Sequence, residues 1–234
     1  MPTICIVPIC PMRLEPSHRS EMINQLLFGE SVEIIGKSKE GWIKVKCIYD
    51  AYEGWISSTS IINTNHWNDN NEIAGDWINK VILNGQQMLV PFGAILPAEN
   101  HLIIENQNWN FSKVVRRMFT NKIVEADFLN MAYSYLNTAY LWGGKSVFGI
   151  DCSGYTQQIF KFFNIKLPRD AYMQAEIGEG VGFLQEAKQG DLAFFDNTEG
   201  KITHVGILLN HQQIIHASGK VRVDAIDNEG IIHS

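Results

Sequence analysis

The sequence predicts an α+β chain in which short strands come first, then two helices, then an antiparallel sheet. Three observations carry that expectation. Up to about residue 62, short apolar stretches alternate with turn residues. From about Lys122 the apolar residues recur at helical spacing, first over Ala126–Tyr140 and then from Asp151. From Gly190 onward the strand-like alternation returns.

In chain order, Ile4 to Ile9, Ser31 to Gly36, Trp42 to Ile48 and Gly54 to Ser57 read as strands of a small barrel, with Gly29-Glu30 and Glu40-Gly41 supplying turns. Asn63 to Asp76 is polar and asparagine-rich, as a linker would be. Val81 to Leu83, Met88 to Val90, Ala94 to Leu96 and Leu102 to Glu105 then suggest a second β unit. The boundaries drawn on this basis are 1–62, 63–121 and 122–234. In the last segment Asp127 is a possible helix start, Trp142-Gly143-Gly144-Lys145 breaks the first helix, and Pro168 closes the second. Leu192 to Phe195, His204 to Leu209, Ile214 to Ala217 and Val221 to Ala225 complete the sheet.

The 234 residues suffice for one to two domains, and 45% apolar with 19% charged residues is an ordinary globular mix. A formal charge of −6 predicts no attraction to a nucleic-acid backbone or an anionic membrane. No stretch reaches the roughly 18 apolar residues of a membrane-spanning helix. The start lacks a basic region, and its apolar run is cut by Pro8 and Pro11. A cytoplasmic location is therefore expected, or a secreted one if a leader preceded this numbering. Four cysteines, none in a C-x-x-C pair, make neither a disulfide scaffold nor the usual zinc signature.

Cys152 stands out because Gly149-Ile150-Asp151-Cys152-Ser153-Gly154 puts it in the first turn of a helix. Unpaired N–H groups and the helix dipole there are expected to lower a thiol pKa and favour thiolate. Cys5, Cys10 and Cys47 lie in strand-like runs with no base nearby and read as small core hydrophobes. His204 and His216 are the available base and orienting group. They face each other directly, with Cβ atoms about 5 Å apart, if their hairpin is centred on Asn210 with an odd-length loop such as Leu209-Asn210-His211. A two-residue loop at His211-Gln212 would put them on opposite faces. Gly206, on the His204 face, leaves room beside the imidazole. Either histidine alone reads as a hydrogen-bonded sheet residue, and a Cys-His-His zinc site lacks a fourth ligand. Asp151 either caps the helix or binds a substrate ammonium. Tyr140 is either a core aromatic or a phenol donor to an oxyanion.

Five motifs now stand in order: Tyr140-Leu141-Trp142-Gly143-Gly144, Asp151-Cys152-Ser153-Gly154, Gly190-Asp191-Leu192-Ala193-Phe194-Phe195, His204-Val205-Gly206-Ile207 and Ile215-His216-Ala217-Ser218. Together they resemble the NlpC/P60 family of papain-like cysteine peptidases, from about Lys122 to the C-terminus. Gln25 to Glu30 and Tyr52-Glu53-Gly54-Trp55-Ile56 resemble the bacterial SH3-like domains that precede this catalytic domain in γ-D-glutamyl-L-diamino acid endopeptidases, and the middle segment resembles a second such unit more weakly.

The resemblance implies helices packed on an antiparallel sheet behind one or two small all-β barrels. It implies Cys152 as nucleophile, His204 as base, His216 as its orienting group and Tyr140 as oxyanion support, with no cofactor or metal. It assigns Asp151 and Ser153 to the free amine of the substrate's L-alanine, with Tyr52 and Glu21 from the first barrel beside them, and Arg169 and Asp170 to the substrate groove. Ala171 stands where relatives often carry serine, and the last strand is expected to be short or missing. The implied substrate is a murein peptide such as L-Ala-γ-D-Glu-diamino acid. The alternatives are a non-catalytic wall-peptide binder, or an amidase or acyltransferase of the same fold.

Overall fold

The structure, a computed structural model, describes residues 1–37, 40–67 and 72–232. They form two compact units: Met1–Phe119 with Lys145–Val147, and Thr120–Gly144 with Phe148–Ser234.

The first unit begins with β1 (Thr3–Cys5), β2 (Ile9–Arg13), β3 (Met22–Leu27), β4 (Ser31–Lys37), β5 (Trp42–Cys47), β6 (Glu53–Ser57) and β7 (Ile61–Asn63), joined in the order β3-β2-β6-β5-β4-β1-β7. The single run expected over Ile4 to Ile9 is two strands. Proline has no N–H to give a ladder, and Pro8 lies in the break between them. Inward residues Cys5, Cys10, Met12, Leu26, Val45, Cys47 and Ile56 fill the barrel.

Next come β8 (Glu72–Ala74), β9 (Ile78–Leu83), β10 (Gln86–Pro91), β11 (His101–Ile104), β12 (Gln107–Asn110) and β13 (Arg116–Met118), as a four-stranded sheet and a β13–β8 pair. Ala94 to Leu96 is no strand, since only Ile95 makes an isolated bridge, to Ile73. Ile4 and Phe28 share one core with Trp67, Trp109 and Phe111, so residues before and after position 62 bury their apolar area against each other. Lys145 belongs to this unit. Its Nζ donates to Glu30 Oε2 at 2.8 Å and its N–H to Gln25 Oε1 at 2.9 Å, which gives the polar ends of the Gln25–Glu30 motif a buried use. Burial works against the lysine's charge, but Glu30 together with Asp50 and Cys47 outweighs it and the pKa rises.

In the second unit α1 (Glu125–Ser134) packs Phe128 against Phe160 and Phe163 of the following helical segment. This helix stops six residues short of Tyr140. Asn137, at φ +67°, is in the left-handed region that a helix cannot continue through. Its N-cap is Val124, and Asp127 lies inside the first turn, where a carboxylate favours the positive end of the helix dipole. Two short extended pieces follow, β14 (Lys145–Ser146) and β15 (Gly149–Ile150), the first of them in the first unit. Then comes α2 (Cys152–Phe162), which ends well before Pro168, with Asn164 at φ +57°. The short α3 (Ala171–Ala175) had no strong periodic signal in the sequence.

The sheet is β16 (Leu192–Asp196), β17 (Ile202–Asn210), β18 (Gln213–Ser218), β19 (Lys220–Asp227) and β20 (Gly230–Ile232), antiparallel in chain order. The final strand is present with three residues. Among the described residues no helix is long and apolar enough to cross a membrane.

Candidate active site

Asp151 organises the start of α2. As N-cap it accepts the Gly154 N–H at Oδ1 (2.7 Å), and Oδ2 accepts the Gly143 N–H (2.9 Å). The Arg169 guanidinium adds a forked pair, Nη1 to Oδ1 at 3.0 Å and Nη2 to Oδ2 at 2.6 Å. A carboxylate offers about four acceptor positions, and these four donors take them. The capping reading of Asp151 is thus realised, and an ammonium would have to displace a partner. Arg169 is 1% exposed and also donates to Ser153 Oγ at 3.0 Å. It clamps Asp151 and Ser153 together from a buried position. Ser153 is buried with it.

Gly154 is required by close approach, because a Cβ there would meet the Gly144 carbonyl oxygen at 2.4 Å. Gln174, which sequence reasoning missed, donates to the Ser153 and Pro168 carbonyls and accepts the Thr156 hydroxyl, tying α3 to the first turn of α2. Asp170 is the N-cap residue of α3 without a side-chain cap bond.

This scaffold places Cys152 at the first position of α2, packed beside Ala171 and Val205. Its sulfur is hydrogen-bonded to the backbone of Val205, the residue next to His204, and of Ser153. The helix N-terminus does not lower the thiol pKa as expected. Burial, and then the Asp151 carboxylate, push it up to about 11, against the two backbone hydrogen bonds and the Arg169 charge. At neutral pH the resting sulfur therefore keeps its proton until a base takes it.

Tyr140 stands beside the thiol. Its N–H donates to the Gly219 carbonyl at 2.9 Å, and its neighbours Ala139 and Leu141 bracket Ile150 by backbone bonds. An extended bridge, not the end of a helix, sets its position. Burial and the nearby Cys152 raise its pKa to about 12, so the phenol remains a proton donor over any physiological range.

The histidine hairpin corrects the expected register in an instructive way. The loop is the two-residue one, His211-Gln212, between the paired Asn210 and Gln213. On its own that loop would have parted the rings, but a β-bulge between Leu208 and Asn210 restores parity. His216 then faces Gly206 instead of His204, and His204 reaches it diagonally on the same face. The His204 Nε2 and His216 Nδ1 atoms are 2.7 Å apart, with ring centroids at 5.0 Å and planes at 79°. Gly206 makes this possible, since a Cβ there would meet Ile214 at 2.6 Å and the His216 Cβ at 2.9 Å.

Beyond His216, which is fully buried, its Nε2 lies 3.0 Å from Asp224 Oδ2, and Arg222 donates to Asp224 Oδ1 through Nε (3.1 Å) and Nη2 (2.6 Å). Burial would raise the Asp224 carboxyl, but the bonds from His216 and Arg222 outweigh it and hold the pKa below its ordinary value. Asp224 and Arg222 were missed in the sequence. Their signal was two charged residues at i and i+2 within the apolar run Val221–Ala225, sharing the parity of His216 across the Gly219 turn.

A zinc bridge between the two rings does not fit their spacing: two Zn–N bonds of about 2.0 Å at a tetrahedral angle hold the nitrogens farther apart than 2.7 Å. Among the described residues no group of three His, Cys, Asp or Glu is arranged to hold a metal ion. Glu21 and Tyr52 lie in the first unit. Glu21 is exposed just before β3, and Tyr52 is half-buried against the barrel core just before β6.

The NlpC/P60 family profile matches residues 137–233, and that of the bacterial dipeptidyl-peptidase SH3 domain matches residues 12–61. Over 218 residues the chain is 31% identical to the γ-D-glutamyl-L-lysine dipeptidyl-peptidase of Bacillus subtilis, covering 82% of this chain and 71% of that one. The chain belongs to the NlpC/P60 family. It is a hydrolase of the cysteine-peptidase type. Dipeptidyl-peptidase 6 of Lysinibacillus sphaericus is 24% identical over 269 residues, 98% of this chain and 93% of that one. The crystal structure of an NlpC/P60 protein from Bacillus cereus superposes with a TM-score of 0.83 at 20% identity, over 98% of this chain and 96% of that one, and shows the fold.

Proposed function

We propose that this NlpC/P60 protein hydrolyses the γ-D-glutamyl–diamino acid bond of murein peptides that begin with a free L-alanine. The observation that carries the reading is the meeting of Cys152, at a helix N-terminus, with the strand residue beside His204, whose ring is held by His216. The names of the two relatives support the choice of bond and end: one is called a γ-D-glutamyl-L-lysine dipeptidyl-peptidase, and both are called dipeptidyl-peptidases. An enzyme that releases an N-terminal dipeptide must recognise the free amine.

In this reading His204 uses Nδ1 as the base, because Nε2 is engaged with His216. It takes the Cys152 proton as sulfur attacks the γ-carbonyl carbon. The Cys152 N–H and the Tyr140 phenol donate to the oxyanion. Collapse breaks the C–N bond, His204 Nδ1 gives its proton to the leaving amine, and a thioester remains. Water then attacks the thioester as His204 takes its proton, which releases the carboxylate and restores the thiol.

The test is incubation with L-Ala-γ-D-Glu-diamino acid and, separately, with its N-acetylated form, followed by quantifying free diamino acid. Release from the free-amine peptide alone is expected. Equal release from both would point to an amidase without end recognition, and release from neither to a binding protein.

A further inference from the structure

The second histidine is itself held from behind. On one face of the sheet a polar line crosses three strands, from His204 on β17 to His216 on β18 to Asp224 and Arg222 on β19. A carboxylate only accepts hydrogen bonds, so the proton between His216 and Asp224 must sit on His216 Nε2. A neutral His216 then presents a bare Nδ1. The 2.7 Å contact with His204 is satisfied only if His204 Nε2 carries the proton, and this leaves the His204 Nδ1 lone pair bare for the thiol.

We infer that Asp224 is a positioning residue that sets the tautomer of both histidines and so keeps His204 in the form that can accept the Cys152 proton. The inference rests on His204 being the base, and it extends the site by one residue in a part of the sheet that touches no reacting atom. Arg222 has a defined share. By binding Oδ1 through two donors it fixes which carboxylate oxygen meets His216.

The same geometry makes Asp224→Asn informative. Arg222 would hold the amide oxygen, turning the amide NH2 toward His216 Nε2. Nε2 would have to accept, the His216 proton would move to Nδ1, and His204 would be left with its proton on Nδ1, the wrong tautomer. A comparable aspartate-to-asparagine change behind a catalytic histidine costs about 10⁴-fold in kcat. Here a loss of about 100-fold or more in kcat with little change in KM is expected, larger than the loss in Asp224→Ala, which leaves the tautomer unforced. If Asp224 served packing alone, the order would reverse, because the asparagine preserves shape and the alanine leaves a hole.

The decisive readout needs no substrate. Long-range proton–nitrogen NMR spectra of the full chain with labelled histidines, assigned with His204→Gln and His216→Gln, report each tautomer. The inference predicts protonated Nε2 on both rings in the wild type and protonated Nδ1 on both in Asp224→Asn. It is overturned if the wild-type His216 carries its proton on Nδ1, or if the asparagine variant leaves both tautomers unchanged. Should Asp224→Ala fail to fold, the spectra of the other two proteins decide alone. Should no murein peptide be hydrolysed, the tautomers still answer the structural question.

Discussion

Four free cysteines, all buried, lie in two regions of the molecule. Cys5, Cys10 and Cys47 fill the barrel of the first unit, and Cys152 begins α2 in the second. Burial pushes the Cys5 thiol well up and pushes the Cys152 thiol up as well, while the hydrogen bond from Cys5 lowers the thiol of the barrel residue Cys10. Neither exposure nor acidity, then, distinguishes the proposed nucleophile, Cys152, from the fillers. The neighbours do. Cys5 packs among Leu26, Val45 and Ile56, and its thiol donates to the Val7 carbonyl at 3.4 Å. Cys152 has two backbone hydrogen bonds, a phenol that stays protonated, and a strand whose next residue is an imidazole already engaged on its far nitrogen. In the proposed mechanism the buried thiol becomes reactive through a partner placed to receive the proton, more than through a permanently lowered pKa.

The comparison is broken most severely by removing that partner. His204→Ala should lower kcat/KM about 10³- to 10⁴-fold, measured as free diamino acid released, and should leave Cys152 as slow toward an alkylating reagent at neutral pH as the barrel cysteines. Fast alkylation in that variant would mean the thiolate forms without the imidazole. Arg169→Met is next. It leaves the Asp151 carboxylate buried with no counter-charge, and loss of one member of a buried pair costs about 3–5 kcal/mol, readable in urea unfolding.

Tyr140→Phe should cost about 10- to 100-fold in kcat with little change in KM, the scale of a lost oxyanion donor. Since the phenol pKa is raised to about 12, the group is protonated below that pH, and the alkaline limbs of wild type and variant should coincide up to pH 10. A limb near 10 that vanishes in the variant would show Tyr140 titrating earlier. The smallest effect belongs to the barrel: Cys47→Ala should cost about 1–2 kcal/mol of stability and leave turnover per folded molecule unchanged.

Much of this was legible beforehand, for physical reasons. Helical spacing from Asp151 and alternation after Gly190 fix the elements, because period 3.6 and period 2 follow from burial on one face. The motif residues Cys152, His204, His216 and Tyr140 could be named from type and order. What escaped depends on a few atoms of backbone. The bulge between Leu208 and Asn210 is one extra residue that reverses the parity argument from loop length, and no residue type announces it. The rise in the Cys152 pKa depends on how deeply the helix start is covered and on the charge of Asp151, which adjacency in sequence does not weigh. The commitment of Asp151 to Arg169 joins residues 18 positions apart through a loop. Asp224 had a signal, charge inside an apolar strand, but its partner emerges only once β18 and β19 are in register.

The central claim is that Cys152, alone among the four thiols, carries the chemistry. The most direct measurement is hydrolysis of L-Ala-γ-D-Glu-diamino acid by Cys152→Ala beside wild type, with thermal unfolding of both recorded in the same buffer. The account predicts release no faster than the uncatalysed background and a Tm within a few degrees of wild type. Release at the wild-type rate by the folded variant would contradict it.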